Sequence, residues 1–146
     1  MKTFNVRNYM GTWHELARIT KSYEEQCETA IAEYRWNAKE GAVDVVNNCL
    51  NSNGEIISTI HGIARPTNIP GKLSLKFDTI PLEMTYDVVW TDYKNFSIVG
   101  KKGGPLLGYF WLLGRRSRAT KKEWRMLKKK VVDFGFDPSI IEIVEV

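Results

Sequence analysis

The sequence predicts an all-β fold: an eight-stranded antiparallel up-and-down barrel, then a C-terminal α-helix at about 121–134 packed outside it and a short final strand. Three observations predict it. Short segments rich in Val, Ile, Tyr, Phe, Trp and Thr recur at roughly ten-residue intervals between clusters of Gly, Asn, Pro and Asp. The connections between them are too short for helical crossovers, so neighbouring strands run antiparallel. A capped amphipathic stretch follows the last of these segments, close to the C-terminus.

Strands are expected near 12–20, 28–37, 42–50, 55–65, 72–77, 84–92, 95–101 and 107–115, with turns at Lys39-Glu40-Gly41, Asn51 to Gly54 and Pro66 to Gly71. Alternation assigns the faces. In 28–37, Ala30, Ala32, Tyr34 and Trp36 fall on the inner face, opposite Glu28, Glu33 and Arg35. In 84–92, Tyr86, Val88 and Trp90 oppose Thr85 and Asp87. In 107–115, Tyr109, Trp111 and Leu113 oppose Phe110, Leu112 and Gly114. This strand is apolar on both faces and needs a cover.

The cover is encoded next. Thr120-Lys121-Lys122-Glu123 is a capping-box pattern, in which the Thr hydroxyl and the Glu carboxylate reciprocally satisfy free backbone N–H groups at a helix start. Trp124, Leu127, Val131 and Phe134 form one apolar stripe, and Gly135 supplies the left-handed stop. Ile140, Ile141, Ile143 and Val144 read as a short strand that pairs with an edge.

The chain of 146 residues, 43% hydrophobic and 26% charged, fits a single domain over 1–146 and is unlike a disordered chain. No uninterrupted apolar run approaches the roughly 20 residues of a membrane-spanning helix. The first residues carry no apolar signal core and no small-residue cleavage site. No nucleophile elbow, phosphate loop or metal-ligand spacing occurs, so no catalytic residue, metal or cofactor is predicted.

Cys27 and Cys49 are expected as free thiols. A hairpin about Lys39-Glu40-Gly41 sets Asn37 opposite Ala42 and Cys49 opposite Ala30. Cys27 is then three residues out of register, about 10 Å along a strand, beyond the roughly 7 Å Cα limit of a disulfide.

An eight-stranded barrel either fills its interior with side chains or holds one small ligand. Small inward residues, Ala17, Ala30, Ala32, Gly62, Ala64 and Ser97, favour a cavity, and Tyr34, Trp36, Phe77, Tyr86, Trp90, Tyr109 and Trp111 offer flat walls for an acyl chain or another flat apolar molecule. The candidate ligand-binding residues are Ala32 and Tyr34 on the second segment, Val45 and Asn47 on the third, and Ile60 and Gly62 on the fourth. Leu75 and Phe77 follow on the fifth, Tyr86, Val88 and Trp90 on the sixth, Ser97 and Val99 on the seventh, and Tyr109 and Trp111 on the eighth. Glu15 also points inward. A buried carboxylate needs a partner, either a polar ligand group or the hydroxyl of Tyr34, Tyr86 or Tyr109.

From Arg115 to Lys130, nine positive charges fall in sixteen positions, offset by Glu123 alone. Such a face suits an anionic membrane surface better than nucleic acid, because the aromatic residues are committed to the barrel rather than interleaved with the basic run.

Tyr9-Met10-Gly11-Thr12-Trp13-His14-Glu15-Leu16-Ala17-Arg18, then Thr91-Asp92-Tyr93, then Arg115 occur in that order. Together they resemble the lipocalins, most of all the branch of bacterial lipocalins and apolipoprotein D. The resemblance implies that Trp13 and Arg115 seal the closed end, consistent with Trp13 beginning an inward set with Glu15 and Ala17. It implies storage or transport of a small hydrophobic ligand of the fatty acid or lysophospholipid class. The alternatives are an enzyme acting on a lipid-like substrate in the cavity, with Glu15 as acid or base, and a basic surface module on anionic membrane. It also implies a periplasmic, outer-membrane-associated or secreted protein if a signal was removed; Met1 as the true start implies a cytoplasmic one. Two features depart from that branch: Arg116-Ser117-Arg118 follow the arginine where a small polar residue or Pro is usual, and the lipid-attachment cysteine is missing.

Overall fold

The computed structural model describes residues 1–19, 27–101 and 109–145. Its strands are β1 (Gly11–Ile19), β2 (Thr29–Asn37), β3 (Ala42–Leu50), β4 (Ile56–Pro66), β5 (Lys72–Phe77), β6 (Met84–Thr91), β7 (Phe96–Lys101) and β8 (Tyr109–Gly114). Helix α1 (Lys121–Asp133) and strand β9 (Ile141–Ile143) complete it. Each expected strand is present; of their predicted extents, Thr20, Leu107 and Gly108 lie outside the described residues.

The strands pair in order from β2 to β8, then β1, and a further β1–β2 pairing closes the ring, all antiparallel. β1 serves two neighbours in the ring. Its first residues, Gly11 to His14, pair with β2, while His14 to Arg18 pair with β8. Beyond His14 the side facing β2 is vacant, and β9 occupies it by pairing Ala17–Ile19 with Ile141–Ile143. The final strand thus covers a stretch of β1 backbone that closure leaves exposed.

Two bulges reset the alternation. In β1 the register skips Leu16, so Trp13 and Glu15 face inward, Leu16 and Ala17 pack in the outer core, and Arg18 faces inward again opposite Trp111. In β6 the register skips Val89. Val88 packs inside, whereas Trp90 lies on the outer surface with the Lys130 ammonium 4.4 Å from its ring centre. The inward assignments of Ala17 and Trp90 are therefore corrected: strict period-two counting fails by one residue past each bulge.

The barrel has two cores, one inside and one between its outer face and α1. Phe96, Ile98, Phe110 and Leu112 on β7 and β8 meet Leu127, Val131 and Phe136 outside. The helix begins as its sequence predicts. Glu123 N donates to Thr120 Oγ1 at 3.1 Å, and Thr120 N donates to Glu123 Oε1 at 2.8 Å. It ends at Gly135, whose φ of 87° puts it in the left-handed region, with Phe136 N donating to the Val131 carbonyl at 3.0 Å. That turn lays Phe136 on Phe110 and over Gly100, where a Cβ would fall 2.9 Å from the Phe136 ring.

The Trp13 end is sealed. The Arg115 guanidinium lies 3.8 Å from the Trp13 ring centre and donates to the carbonyls of Tyr93 (2.9 Å), Thr12 (3.0 Å), Asn8 (3.2 Å) and Tyr9 (3.4 Å). One planar cation therefore ties the N-terminal segment, β1 and the β6–β7 turn together. Gly11, at φ 106°, leaves room for it: a Cβ there would sit 3.1 Å from Arg115 Nη1. In the β6–β7 turn, Asp92 Oδ1 accepts from the N–H groups of Asn95 and Phe96, which lets Tyr93 adopt φ 63°.

The cysteines are bonded to each other, with Cα atoms 5.3 Å apart, so the expectation of free thiols is corrected. The hairpin register is as predicted, Ala30 opposite Cys49. The extrapolation beyond it fails because β2 starts only at Thr29. Cys27 lies past a bend at Glu28, off the straight line of the strand, and doubles back towards Cys49.

Candidate functional site

The space inside the strands is hollow. A cavity of about 740 Å³ opens at the end opposite Arg115, within the roughly 300–1,000 Å³ typical of small-molecule sites. It is wide where β2 and β4 contribute Ala30, Ala32 and Ala64, and it faces the larger rings of β5, β6 and β8.

Its floor is a cluster of phenols. Tyr9 projects from the turn before β1, and its ring stacks on Tyr34 with centres 5.9 Å apart, while Tyr86 meets both edge-on. Tyr34 OH donates to Tyr86 OH at 3.1 Å, Tyr86 OH and Tyr9 OH lie 2.9 Å apart, and Tyr9 OH lies 2.7 Å from Ser97 Oγ. Below them, Trp13 Nε1 donates to the Tyr9 carbonyl at 2.9 Å. Burial makes all three phenols weaker acids, raising their pKa values. Tyr34 is pushed up to about 12, first by burial and then by the negative field of Glu15, against the lowering effect of its bond to Tyr86. The Tyr9 and Tyr86 phenols are raised too, first by burial and then by the proximity of Tyr34; Tyr9 also raises Tyr86, whereas the bonds to Ser97 and Tyr86 act to lower Tyr9. At neutral pH the floor is polar at its oxygens and uncharged.

One wall carries an ion pair. Glu15 Oε1 accepts from Arg18 Nη1 at 3.0 Å, and both side chains are almost wholly buried. Arg18 also donates to the Cys27 carbonyl, and the Thr29 hydroxyl donates to the Glu15 carbonyl at 2.9 Å. Together these bonds bridge β1 to the start of β2, where the backbone ladder has ended. The bulge at Leu16 makes the pair, since it returns Arg18 to the face Glu15 occupies. On the neighbouring strand β8, Tyr109 donates to the Thr85 carbonyl at 3.0 Å and bonds the Asp87 carboxylate, so its ring is pinned beside Trp111 at a centre distance of 5.0 Å. Burial, then the Asp87 carboxylate, raises the Tyr109 phenol well above its ordinary range.

Ten of the predicted residues border the cavity: Ala32, Tyr34, Val45, Asn47, Ile60, Leu75, Phe77, Tyr86, Tyr109 and Trp111. Five do not. Val88 and Val99 are packed beneath it in the inner core, and Ser97 is fully buried against Tyr9. Gly62 has an inner-face register but lies under Phe77, where a Cβ would fall 2.8 Å from the ring; Trp90 is outside. The expected wall residue Trp36 packs on the inner core beyond the cavity and is covered by Arg7, 5.4 Å from its ring centre. Sequence reasoning missed Val6, Tyr9 and Met10, which enter from below, and Ser58, Ile80, Met84 and Lys101 near the mouth. Tyr9 and Met10 stand immediately before the Gly-x-Trp motif, a signal that the segment there is fastened to the sealed end.

Among the described residues, no group of three His, Cys, Asp or Glu side chains is placed to hold a metal ion. A closed eight-stranded antiparallel barrel, sealed at one end and hollow above the seal, is a calycin-type barrel. The chain belongs to the lipocalins. A family model described as a lipocalin-like domain matches residues 4–145. Over 121 residues the chain is 32% identical to apolipoprotein D of Bos taurus, covering 78% of this chain and 62% of that protein. It is 26% identical to a chloroplastic lipocalin of Arabidopsis thaliana, covering 97% of this chain and 46% of that one. The chain thus spans less than two thirds of the length of either relative. Insecticyanin of the tobacco hornworm Manduca sexta shares the fold, with a TM-score of 0.75 at 21% identity over 100% of this chain and 82% of that one. Lipocalins are in general binding and transport proteins for small hydrophobic molecules rather than enzymes.

The phenol floor makes stability pH-dependent. Above about pH 10 the unfolded chain loses a Tyr34 proton that the folded chain keeps until about 12. Stability therefore falls as pH rises through that window, by up to about 1.4 kcal/mol per pH unit from this residue. Urea midpoints measured from pH 9 to 12 should drop, and Tyr34→Phe should make the drop shallower. An unchanged slope in the variant contradicts the assignment.

Proposed function

We propose that the protein binds one amphiphile with a long apolar tail, of the fatty acid or lysophospholipid class, in the barrel cavity, and stores or carries it without chemical change. The observation that carries this reading is the cavity itself: about 740 Å³, open at one end, walled mainly by apolar side chains and floored by uncharged phenols. Burial of the tail against Ala32, Tyr34, Val45, Ile60, Leu75, Phe77, Tyr86, Tyr109 and Trp111 supplies the affinity, at about 0.8 kcal/mol per methylene removed from water. Asn47 adds a polar contact on the wall. The walls are pre-formed, so little ordering opposes binding. A titration with a fluorescent polyene fatty acid should saturate at one molecule per chain. Ala30→Trp, which fills the upper cavity, should weaken binding at least tenfold while thermal unfolding stays cooperative; full affinity in that variant refutes the cavity as the site.

Peripheral contact with anionic membrane through α1 belongs to the same proposal. Lys121, Lys122, Arg125, Lys128 and Lys129 are exposed on its outer side, and the acidic Glu123 is engaged by Arg116 at 2.5 Å. Each such cation is worth about 1 kcal/mol near an anionic bilayer. Vesicles containing a quarter phosphatidylglycerol should sediment the protein at low salt and release it at high salt. Lys128→Glu with Lys129→Glu should cut that binding at least tenfold and leave fatty acid affinity unchanged; equal sedimentation with purely zwitterionic vesicles overturns it.

The compartment is proposed to lie outside the reducing cytosol. The Cys27–Cys49 bond supports this, since such bonds persist in oxidising surroundings. Protein isolated from its own cells into an alkylating agent should show both cysteines oxidised, and modification of both thiols contradicts the placement.

A further inference from the structure

The inner face of β7 runs from the floor to the mouth in three steps. Ser97, Val99 and Lys101 alternate with Ile98 and Gly100, which face the outer core. Ser97 is fully buried and bonded to Tyr9; Val99 is fully buried; Lys101 is exposed and borders the cavity. Four residue steps along the strand take the serine to the lysine, about 13 Å at roughly 3.3 Å per residue. An ammonium thus stands at the top of this column, above the buried Val99 and the bonded Ser97, on the cavity side of the wall.

The charges deeper in the barrel have the opposite character. The Glu15 carboxylate borders the cavity, and the nearby guanidinium of Arg18 is already committed to it at 3.0 Å. The negative field of Glu15 reaches the floor, where it raises the Tyr34 phenol. The floor has little to offer an anion: the three bonds linking Tyr34, Tyr86, Tyr9 and Ser97 consume three of their four hydroxyl hydrogens. A carboxylate or phosphate driven to the bottom would lose its water without gaining a cation, a cost of several kcal/mol. At the mouth, Lys101 forms no ion pair among the described residues and remains hydrated.

Building on the cavity-binding reading, we infer that Lys101 is the head-group residue of the site: the amphiphile enters tail first, its tail rests on the Tyr9–Tyr34–Tyr86 floor, and its anionic head, carboxylate or phosphate monoester, pairs with the Lys101 ammonium at the mouth. Tail burial then sets affinity, and the lysine sets preference for charged over neutral heads. Because the pair forms in partly hydrated surroundings, its contribution is modest and weakens with salt.

The test compares oleate, oleoyl lysophosphatidate and oleyl alcohol, which share one tail, on the native protein, Lys101→Gln and Lys101→Glu. Lys101→Gln should weaken oleate about five- to tenfold and Lys101→Glu more, with oleyl alcohol unchanged within twofold. Loss confined to oleate, or to the lysophosphatidate, tells a carboxylate head from a phosphate one. Orientation is read separately by NMR, from broadening of the Trp13 indole N–H by stearate carrying a nitroxide. A label at carbon 16 should broaden it and a label at carbon 5 should not. Binding of all three lipids with no dependence on Lys101, or the reverse pattern of broadening, overturns the head-group assignment alone. Failure of all three to bind overturns the cavity reading with it.

Discussion

Closure of the ring is the constraint from which the rest follows, and β1 bears it. A sheet becomes a barrel only when its first strand pairs with both the second and the last. β1 does this by dividing its length between them, with His14 the residue paired on both sides. The bulge at Leu16 lets the strand bend between the two pairings, and it has three effects. It turns Leu16 and Ala17 outward to become the bed on which α1 rests. It sends Arg18 inward to meet Glu15. It leaves a stretch of β1 backbone open, which β9 fills.

A hollow interior must resist collapse, and here the polar contacts do that. The phenols of the floor hold one another at fixed separations through their hydroxyls, so no ring can fall into the space without breaking a bond in an apolar setting, at about 1–3 kcal/mol each. Tyr109 is held to the backbone and side chain of β6 in the same manner. The alanines of β2 and β4 cannot reach across. The anchored tyrosines and the small alanines of β2 and β4 together keep the space open. The seal beneath works similarly: Arg115 donates to four backbone carbonyls of the converging segments and so holds them together.

Most of this was legible in the sequence because a barrel strand repeats one rule. Period-two alternation assigned β2, β3, β5 and β8 to the correct faces, and the capping box and Gly135 bounded the helix. The failures share a cause. Ala17 and Trp90 were misplaced by one-residue bulges, which leave no mark in composition; the nearest signals are the consecutive apolar residues Leu16-Ala17 and Val88-Val89-Trp90. Cys27 was misplaced because a strand was extended two residues too far. Tyr9 and Lys101 escaped for a different reason: one lies outside any strand, and the other is a charged residue on an inward position, which hydropathy alone assigns to solvent.

The same residues define how much selectivity the site can have. Apolar walls distinguish ligands weakly, since one methylene changes binding by only about 1–3 kcal/mol. Under the proposed function, tail length and shape would therefore be read only coarsely, by the rings of Tyr86 and Trp111 and the alanines of β2 and β4. Finer choice has to come from polar groups, and these are graded along the barrel: uncharged hydroxyls at the floor, the Glu15–Arg18 pair and Asn47 on the wall, an ammonium at the rim. Under the proposed function, a ligand would be rejected when its own polar group is forced to a level where the barrel offers no partner, because the buried mismatch costs more than a few extra methylenes recover. The order of polar groups with depth, rather than any single contact, is what a ligand must match.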